Sequence, residues 1–114
     1  LDIMYTPPEK MFDDITSLAA FICDAPIALI SLLDDKNQFF KSHYGLDADQ
    51  TPIEHAFCAH AIKEDKDVFI VEDATIDNRF KENPLVLSSP NIVYYAGVPL
   101  SNEEGIQINI ITHR

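Results

Sequence analysis

The chain has 114 residues, 46% of them hydrophobic, and its 19 acidic and 8 basic residues give a formal net charge of −11. That length fits one compact domain, and the acidic excess argues against nucleic acid or anionic membrane as a main partner, because phosphate binding depends on Lys and Arg. No apolar run approaches the roughly 18 residues of a membrane span, and the N-terminus lacks signal-peptide organisation. We therefore expect a cytoplasmic single domain, 1–114, that is a fragment of a longer protein, since the chain opens on Leu1 rather than Met.

The first predicted element is an amphipathic helix that follows a capping box. Segment 6–9, TPPE, places Thr at the N-cap, Pro at the first helical position and Glu at N3. From there to about Cys23, apolar side chains recur on one arc at about 100° per residue: Phe12, Ile15, Leu18, Ala19, Ile22 and Cys23. Phe21 lies off this arc, which indicates cover by another segment or an interface contact. The position of Cys23 within the arc predicts a buried, reduced thiol.

The middle of the chain predicts a hairpin and three further strands. Segment 26–33 is almost continuously apolar, a pattern typical of a strand covered on both faces and central in its sheet. A turn at 34–36 and a return strand to about Tyr44 complete the hairpin. The later strands are expected at 67–74, 91–100 and 105–114, with an irregular segment or short helix at 75–87. This order predicts an α+β domain with a mostly antiparallel sheet.

A second capping box, TPIE at 51–54, predicts a helix to about Lys63 with Thr51 at the N-cap and Pro52 at its first position. This helix carries HAFCAHAI, whose two His and one Cys invite a metal or nucleophile interpretation. On a helical wheel, however, Cys58 and His60 point about 200° apart, so the three side chains cannot share one metal ion. Cys58 lies on the apolar arc with Phe57, where burial disfavours the reactive thiolate. We therefore predict no metal site, no catalytic residue and no enzymatic activity.

Two other segments carry candidate ligand contacts. In EDATIDNRF, Arg79 stands among Asp73 and Asp77, where its guanidinium fits either a ligand carboxylate or phosphate, or local ion pairs and Asx turns. In YYAGVPL, the small residues after Tyr95 allow a close approach to the sheet, either by packing or by a pocket wall. The chain contains no P-loop, dinucleotide fingerprint, nucleophile elbow or HExxH motif.

Taken in order, these segments resemble the GAF domain, a small-molecule-sensing and dimerisation module of signalling proteins. The resemblance covers nearly the whole chain to Leu100, through TPPEKMFDDITSLAAFICDAPIALISLLDDKNQFFKSHYGL, TPIEHAFCAHAI, VEDATIDNRFKENPLV and YYAGVPL. It is most similar to the bacterial branch found in sensor histidine kinases of two-component systems, diguanylate cyclases and response regulators.

The resemblance implies a twisted antiparallel sheet in the order 2-1-5-4-3 with helices on both faces. The N- and C-terminal helices would form a homodimer contact on one face. A small molecule of unknown identity would bind on the other, between helix 53–63, loop 73–86 and strand 93–98. The implied ligand-binding residues are Phe57, Asp73, Asp77, Arg79 and Tyr95.

The end of the chain departs from the family pattern. It reads IQINIITHR, with Asn109 where Gly is usual and with the C-terminal helix missing, so we expect a truncated C-terminus. The expected function is a non-enzymatic sensory or regulatory domain that relays a signal through dimer helices to an output domain of the same polypeptide. A dimerisation scaffold with a filled pocket and, less favoured, a thiol-dependent enzyme remain the alternatives.

Overall fold

An antiparallel sheet of six strands forms the centre of the computed structural model. The structure describes residues 10–33, 36–52, 56–57, 59–60, 67–101 and 106–113. In chain order the elements are α1 (Lys10–Cys23), β1 (Ile27–Leu33), β2 (Asn37–Tyr44), β3 (Gln50–Pro52), β4 (Phe69–Val71), α2 (Pro84–Leu87), β5 (Ile92–Ser101) and β6 (Ile106–His113). The strands lie in the order β3-β2-β1-β6-β5-β4, and every neighbouring pair is antiparallel.

This order confirms the predicted α+β fold and its sheet. The five predicted strands correspond to β1, β2, β4, β5 and β6, so the expected order 2-1-5-4-3 becomes β2-β1-β6-β5-β4. Strand β1 is buried along six of its seven residues and lies between β2 and β6, as its continuous apolar run predicted. The segment 75–87 does contain a short helix, α2, whose N-cap Asn83 accepts a hydrogen bond from the Leu85 N–H at 2.8 Å.

The added strand, β3, corrects the start of the second predicted helix. Thr51 and Pro52 belong to β3 and pair with β2 at Gln38 and Asn37. The Thr51 hydroxyl donates to the Gln38 side-chain oxygen at 3.1 Å, so the prediction that Thr51 is a helix N-cap is wrong. Proline is tolerated here because β3 is an edge strand. Helical conformation appears further on, at 57 and 59–60, and both the rest of this box and the box at 6–9 lie outside the described residues.

Helix α1 covers one face of the sheet through small and polar side chains. Thr16 and Ala20 are its buried residues, and the Thr16 and Ser42 hydroxyls lie 2.8 Å apart. Ser42 also donates to Asp13 Oδ1 at 2.6 Å, which fastens the helix to β2. Below them, Ile30, Leu32 and Ile106 form the smaller apolar core, against which Phe12 and Ile108 pack.

The orientation of α1 corrects a second prediction. Cys23 is exposed, not buried. The helix turns its short side chains, Thr16 and Ala20, towards the sheet because they allow close packing and the bond to Ser42. Much of the apolar arc therefore faces away from the core, since Ile15, Leu18 and Ile22 are exposed. Met11, and Phe21 off the arc, are exposed as well. None of the described helices has the length and apolar content needed to cross a membrane.

Candidate functional site

A cavity of about 130 Å³ lies on the sheet face opposite α1. Its floor is formed by residues of five strands, and its walls by the loop after β2, a helical residue and the segment around α2. The lining residues are Leu29, Gln38, Phe40, Leu46, Ala48, Thr51, Phe57, Leu85, Ser89, Pro90, Ile92, Tyr95 and Ile111. None of these side chains carries a formal charge, so the described part of the lining is apolar with a few neutral polar groups.

Phe57 and Tyr95 connect this cavity to an aromatic cluster in the larger core. The Phe57 ring stacks on Phe80, with centroids 4.1 Å apart, and lies 5.1 Å from the Tyr95 ring. Phe69 contacts Phe80 and Tyr95 edge-on, at 6.2 Å in each case. His60 adds an edge contact to Phe80 at 4.8 Å. Aromatic pairs in these geometries add to the stabilisation that their burial gives, so this wall of the cavity is well supported.

A chain of buried polar side chains holds Tyr95 in place. Its hydroxyl donates to Asn109 Oδ1 at 2.6 Å, and Asn109 Nδ2 donates to the Ser31 hydroxyl at 2.6 Å. Ser31 and Asn109 are fully buried and Tyr95 is nearly so. Gly97 leaves the room that this arrangement needs, because a Cβ there would stand only 3.0 Å from the Tyr95 hydroxyl oxygen. Each of these three polar side chains is therefore satisfied within the protein.

The predicted ligand contacts in loop 73–86 lie outside this cavity. Asp73 and Asp77 line a separate open groove with Ile70, Glu72 and Ile76. Asp77 receives two hydrogen bonds from the Arg79 guanidinium, at 3.0 and 2.8 Å, and one from the Arg79 N–H at 2.9 Å. The bond from the Arg79 side chain is the main reason why the pKa of Asp77 lies below its usual value. This is the local ion pair and Asx turn that the sequence left open.

Arg79 also packs against the aromatic cluster. Its guanidinium carbon lies 5.1 Å from the centre of the Phe69 ring and 5.2 Å from that of Phe80. These cation–π contacts join the Asp77 turn to the outer side of the cavity wall. Of the five predicted site residues, the structure therefore brings Phe57 and Tyr95 together at the cavity and places Asp73, Asp77 and Arg79 on the adjoining loop.

The sequence did not identify most of the cavity floor. Leu29, Phe40 and Ile111 come from three strands whose register cannot be read before the sheet is known. One usable signal was present: Ser31, Gln107 and Asn109 are polar residues within apolar strands, a pattern that indicates a buried hydrogen-bonded network. Cys58 lies outside the described residues, and among those described no three His, Cys, Asp or Glu side chains cluster as a metal site.

Comparison with known families accounts for this arrangement of a sheet, a covering helix and a cavity. The profile of the GAF domain matches residues 7–106. The chain belongs to the GAF domain family. This GAF domain is also 44% identical, over 108 residues, to a cyclic di-GMP phosphodiesterase of Pseudomonas aeruginosa. That alignment covers 95% of this chain but only 18% of the relative, so the chain spans less than a fifth of the relative's length.

Solved structures support the fold. A type II free methionine-R-sulfoxide reductase from Thermoplasma acidophilum superposes with a TM-score of 0.69 at 12% identity, over 90% of this chain and 72% of the other. The GAF domain of a phosphoenolpyruvate-protein phosphotransferase from Coxiella burnetii gives 0.68 at 13% identity, over 95% and 68% of the two chains. At such identities the likeness concerns the fold alone. The family and the relative place this GAF domain in bacterial signalling.

Proposed function

We propose that this GAF domain is a non-enzymatic, cytoplasmic sensory module that binds a small molecule in the cavity beside Phe57 and Tyr95. The observation that carries the proposal is the cavity itself, about 130 Å³ on the sheet face opposite α1. A scaffold whose pocket is filled by its own side chains would have no need of this space. Pockets with apolar walls and few polar groups are the usual form of small-molecule sites.

The composition of the cavity favours binding over catalysis. The lining residues that the structure describes include no carboxylate, imidazole, amine or thiol, the groups that most often transfer protons or attack a substrate. Cys23, the cysteine whose position is described, is exposed on α1, at the other face of the sheet. The thiol-dependent enzyme is therefore the weaker alternative.

Dimerisation through α1 is the second part of the proposal. Met11, Ile15, Leu18 and Ile22 follow one another at intervals of four, three and four residues, which is the spacing of a coiled-coil seam. Their exposed fractions are 60%, 38%, 57% and 70%, although they are large apolar side chains. We call these four residues the α1 stripe. A second copy would cover both stripes symmetrically, since a two-fold interface uses the same patch on each subunit.

The route from cavity to stripe runs through β2. Ile30 pairs with Ser42 and Ser31 with Phe40, so the intervening Lys41 is a bulged residue. On one side of this bulge Phe40 lines the cavity. On the other, Ser42 bonds to α1 and the Lys41 ammonium lies 5.7 Å from the Phe12 ring centre. A ligand that binds one arrangement of Phe40 better than another would thereby shift the position of α1.

The output of the larger polypeptide is proposed from the relative. The similarity to a cyclic di-GMP phosphodiesterase supports an output domain in cyclic di-GMP turnover rather than a histidine kinase. In this proposal the GAF domain supplies the regulatory input, and the enzymatic reaction takes place in the output domain of the same polypeptide.

Native mass spectrometry tests the cavity directly. We expect gently purified protein from its own host to retain a small molecule, and Ala48→Phe, which fills the cavity from the loop after β2, to lose it. Ala48→Ser changes the same position without filling it and should keep the bound mass. Equal retention by all three proteins, or retention by none of them, would contradict the proposal and favour the scaffold.

A further inference from the structure

We infer that the molecule bound in this cavity is uncharged, predominantly apolar and no larger than a single small ring. The inference rests on the proposed function, because it names the class of ligand for that same cavity. It excludes nucleotides and cyclic dinucleotides as occupants, whatever the output domain acts on. Three properties of the cavity carry it: size, charge and the state of its polar groups.

Size sets the upper limit. An engineered apolar cavity of about 150 Å³ holds benzene or xenon, and pockets for drug-sized ligands span about 300–1,000 Å³. The cavity here, about 130 Å³, falls at the benzene end of that range. A nucleobase with its sugar and phosphate exceeds it.

Charge sets the chemical class. The described lining contains no Lys, Arg, His, Asp or Glu, so a charged ligand would lose its hydration without gaining a counter-ion. Burying an unpaired charge costs far more than the contacts of a small ring can return. Phosphate recognition in particular depends on cationic side chains or exposed helix N-termini, and no cationic side chain is among the lining residues described.

Three polar side chains of the described lining, Gln38, Thr51 and Tyr95, are already engaged in hydrogen bonds. The Gln38 side-chain oxygen accepts from the Thr51 hydroxyl at 3.1 Å, and the Tyr95 hydroxyl donates to Asn109 at 2.6 Å. An apolar ligand leaves these bonds intact and buries its own surface against Leu29, Ile92 and Ile111. Among the described lining residues, Ser89 is polar and exposed, so a single hydroxyl or N–H of the ligand is accommodated there.

Titration with matched ring compounds tests this assignment. Benzene and phenol are uncharged; benzoate and benzylammonium add one charge of either sign to a similar ring; cyclic di-GMP represents the large anions. Binding is followed through the NMR shifts of the Leu29, Leu85, Ile92 and Ile111 methyl groups. We expect benzene and phenol to shift these signals and to bind at least tenfold more tightly than either charged ring. Cyclic di-GMP should leave the signals unchanged.

The filling variants localise the binding. Ala48→Phe should abolish the benzene-induced shifts, and Ala48→Ser should preserve them. If Ala48→Phe lowers the midpoint of thermal unfolding, Leu85→Phe, which fills the cavity from α2, is used in its place. Equal or tighter binding of benzoate, benzylammonium or cyclic di-GMP at these methyl groups would overturn the ligand class while leaving the sensory function standing. Shifts that persist in the filled variants, or the absence of any shift with benzene and phenol, would also overturn it. Retention of no host molecule in the native mass spectra would remove the sensory function as well.

Discussion

At the scale of single residues, the cavity wall depends on the hydrogen bond from the Tyr95 hydroxyl to the Asn109 side chain. The sequence correctly predicted that Tyr95 lies on a strand, just before the small residues Ala96 and Gly97. Asn109 stood out only as a departure from the family pattern. Its partner Ser31 is 78 positions away in the chain, so the bond between them depends on β1 and β6 being neighbours in one particular register. Local sequence patterns do not contain that information.

The Asp77–Arg79 pair gives a prediction for pH dependence. Because the folded-state pKa of Asp77 is lowered below its usual 3.8, the pair contributes stability that is fully present above that value and is lost as pH falls through the lowered pKa. Asp77→Asn keeps an oxygen for the Arg79 N–H but removes the charge. We expect it to lower the free energy of unfolding at pH 7 by up to about 1 kcal/mol, since the pair is partly exposed.

Urea denaturation between pH 7 and pH 3 measures this effect. The difference between wild type and Asp77→Asn should stay constant down to about pH 4 and then shrink. Asp47→Asn, at an exposed carboxylate with no ion pair among the described residues, should show no comparable difference at pH 7. A difference that grows on acidification would contradict the assigned sign.

At the scale of elements, strands were predicted better than the orientation of helices. Period-two and continuous apolar patterns located the main strands, because burial in a sheet is dictated by its neighbours on both faces. The end of α1 at Cys23 was also predicted correctly. The side of α1 that faces the sheet was not predicted correctly. A hydrophobic arc shows which side of a helix avoids water, but not whether the sheet or a second subunit covers that side. Similarly, TPIE satisfies the rules of a capping box, yet pairing with β2 keeps Thr51 and Pro52 in a strand.

The exposed α1 stripe predicts the assembly state. Leu18→Glu places a charge in the middle of the stripe, where a second copy would bury it without a partner, so we expect the dimer to dissociate at least a hundredfold more readily. Sedimentation equilibrium over a range of concentrations gives the dissociation constant. Ser17→Glu adds the same charge one position away on an exposed site outside the stripe and should change it little. Equal effects of both variants would refute the α1 interface.

For the whole molecule, β6 decides whether the sheet is continuous. It is the last described element in the chain, but it lies between β1 and β5 and pairs with both. Ile110 is paired with Ala28 on one side and Ala96 on the other. The family resemblance supplied this sheet order, since hydrophobic patterns alone do not say which strands are neighbours.

A proline in β6 therefore tests the topology. Ile110→Pro removes a backbone donor from the ladder and introduces a ring into a central strand, where proline is not accommodated. We expect it to abolish the cooperative thermal transition followed by circular dichroism. Ile110→Val keeps the strand and should cost about 0.5–1.5 kcal/mol. A cooperative transition near the wild-type midpoint in Ile110→Pro would mean that β6 is not a central strand.

The bonds from Asn109 to Tyr95 and Ser31 have a further effect on how the chain aligns itself. Side chains of a strand alternate between the two faces, so a slip of β6 by one residue would turn Asn109 towards the apolar layer under α1. Its amide would then lose both of its hydrogen-bond partners on a face where Ile30 and Leu32 form an apolar core. The isoleucines of β6 are nearly interchangeable and specify the alignment poorly by themselves. The buried Asn109 amide thus specifies the register of β1, β6 and β5, because registers shifted by one residue would lose both of its hydrogen bonds and be higher in free energy.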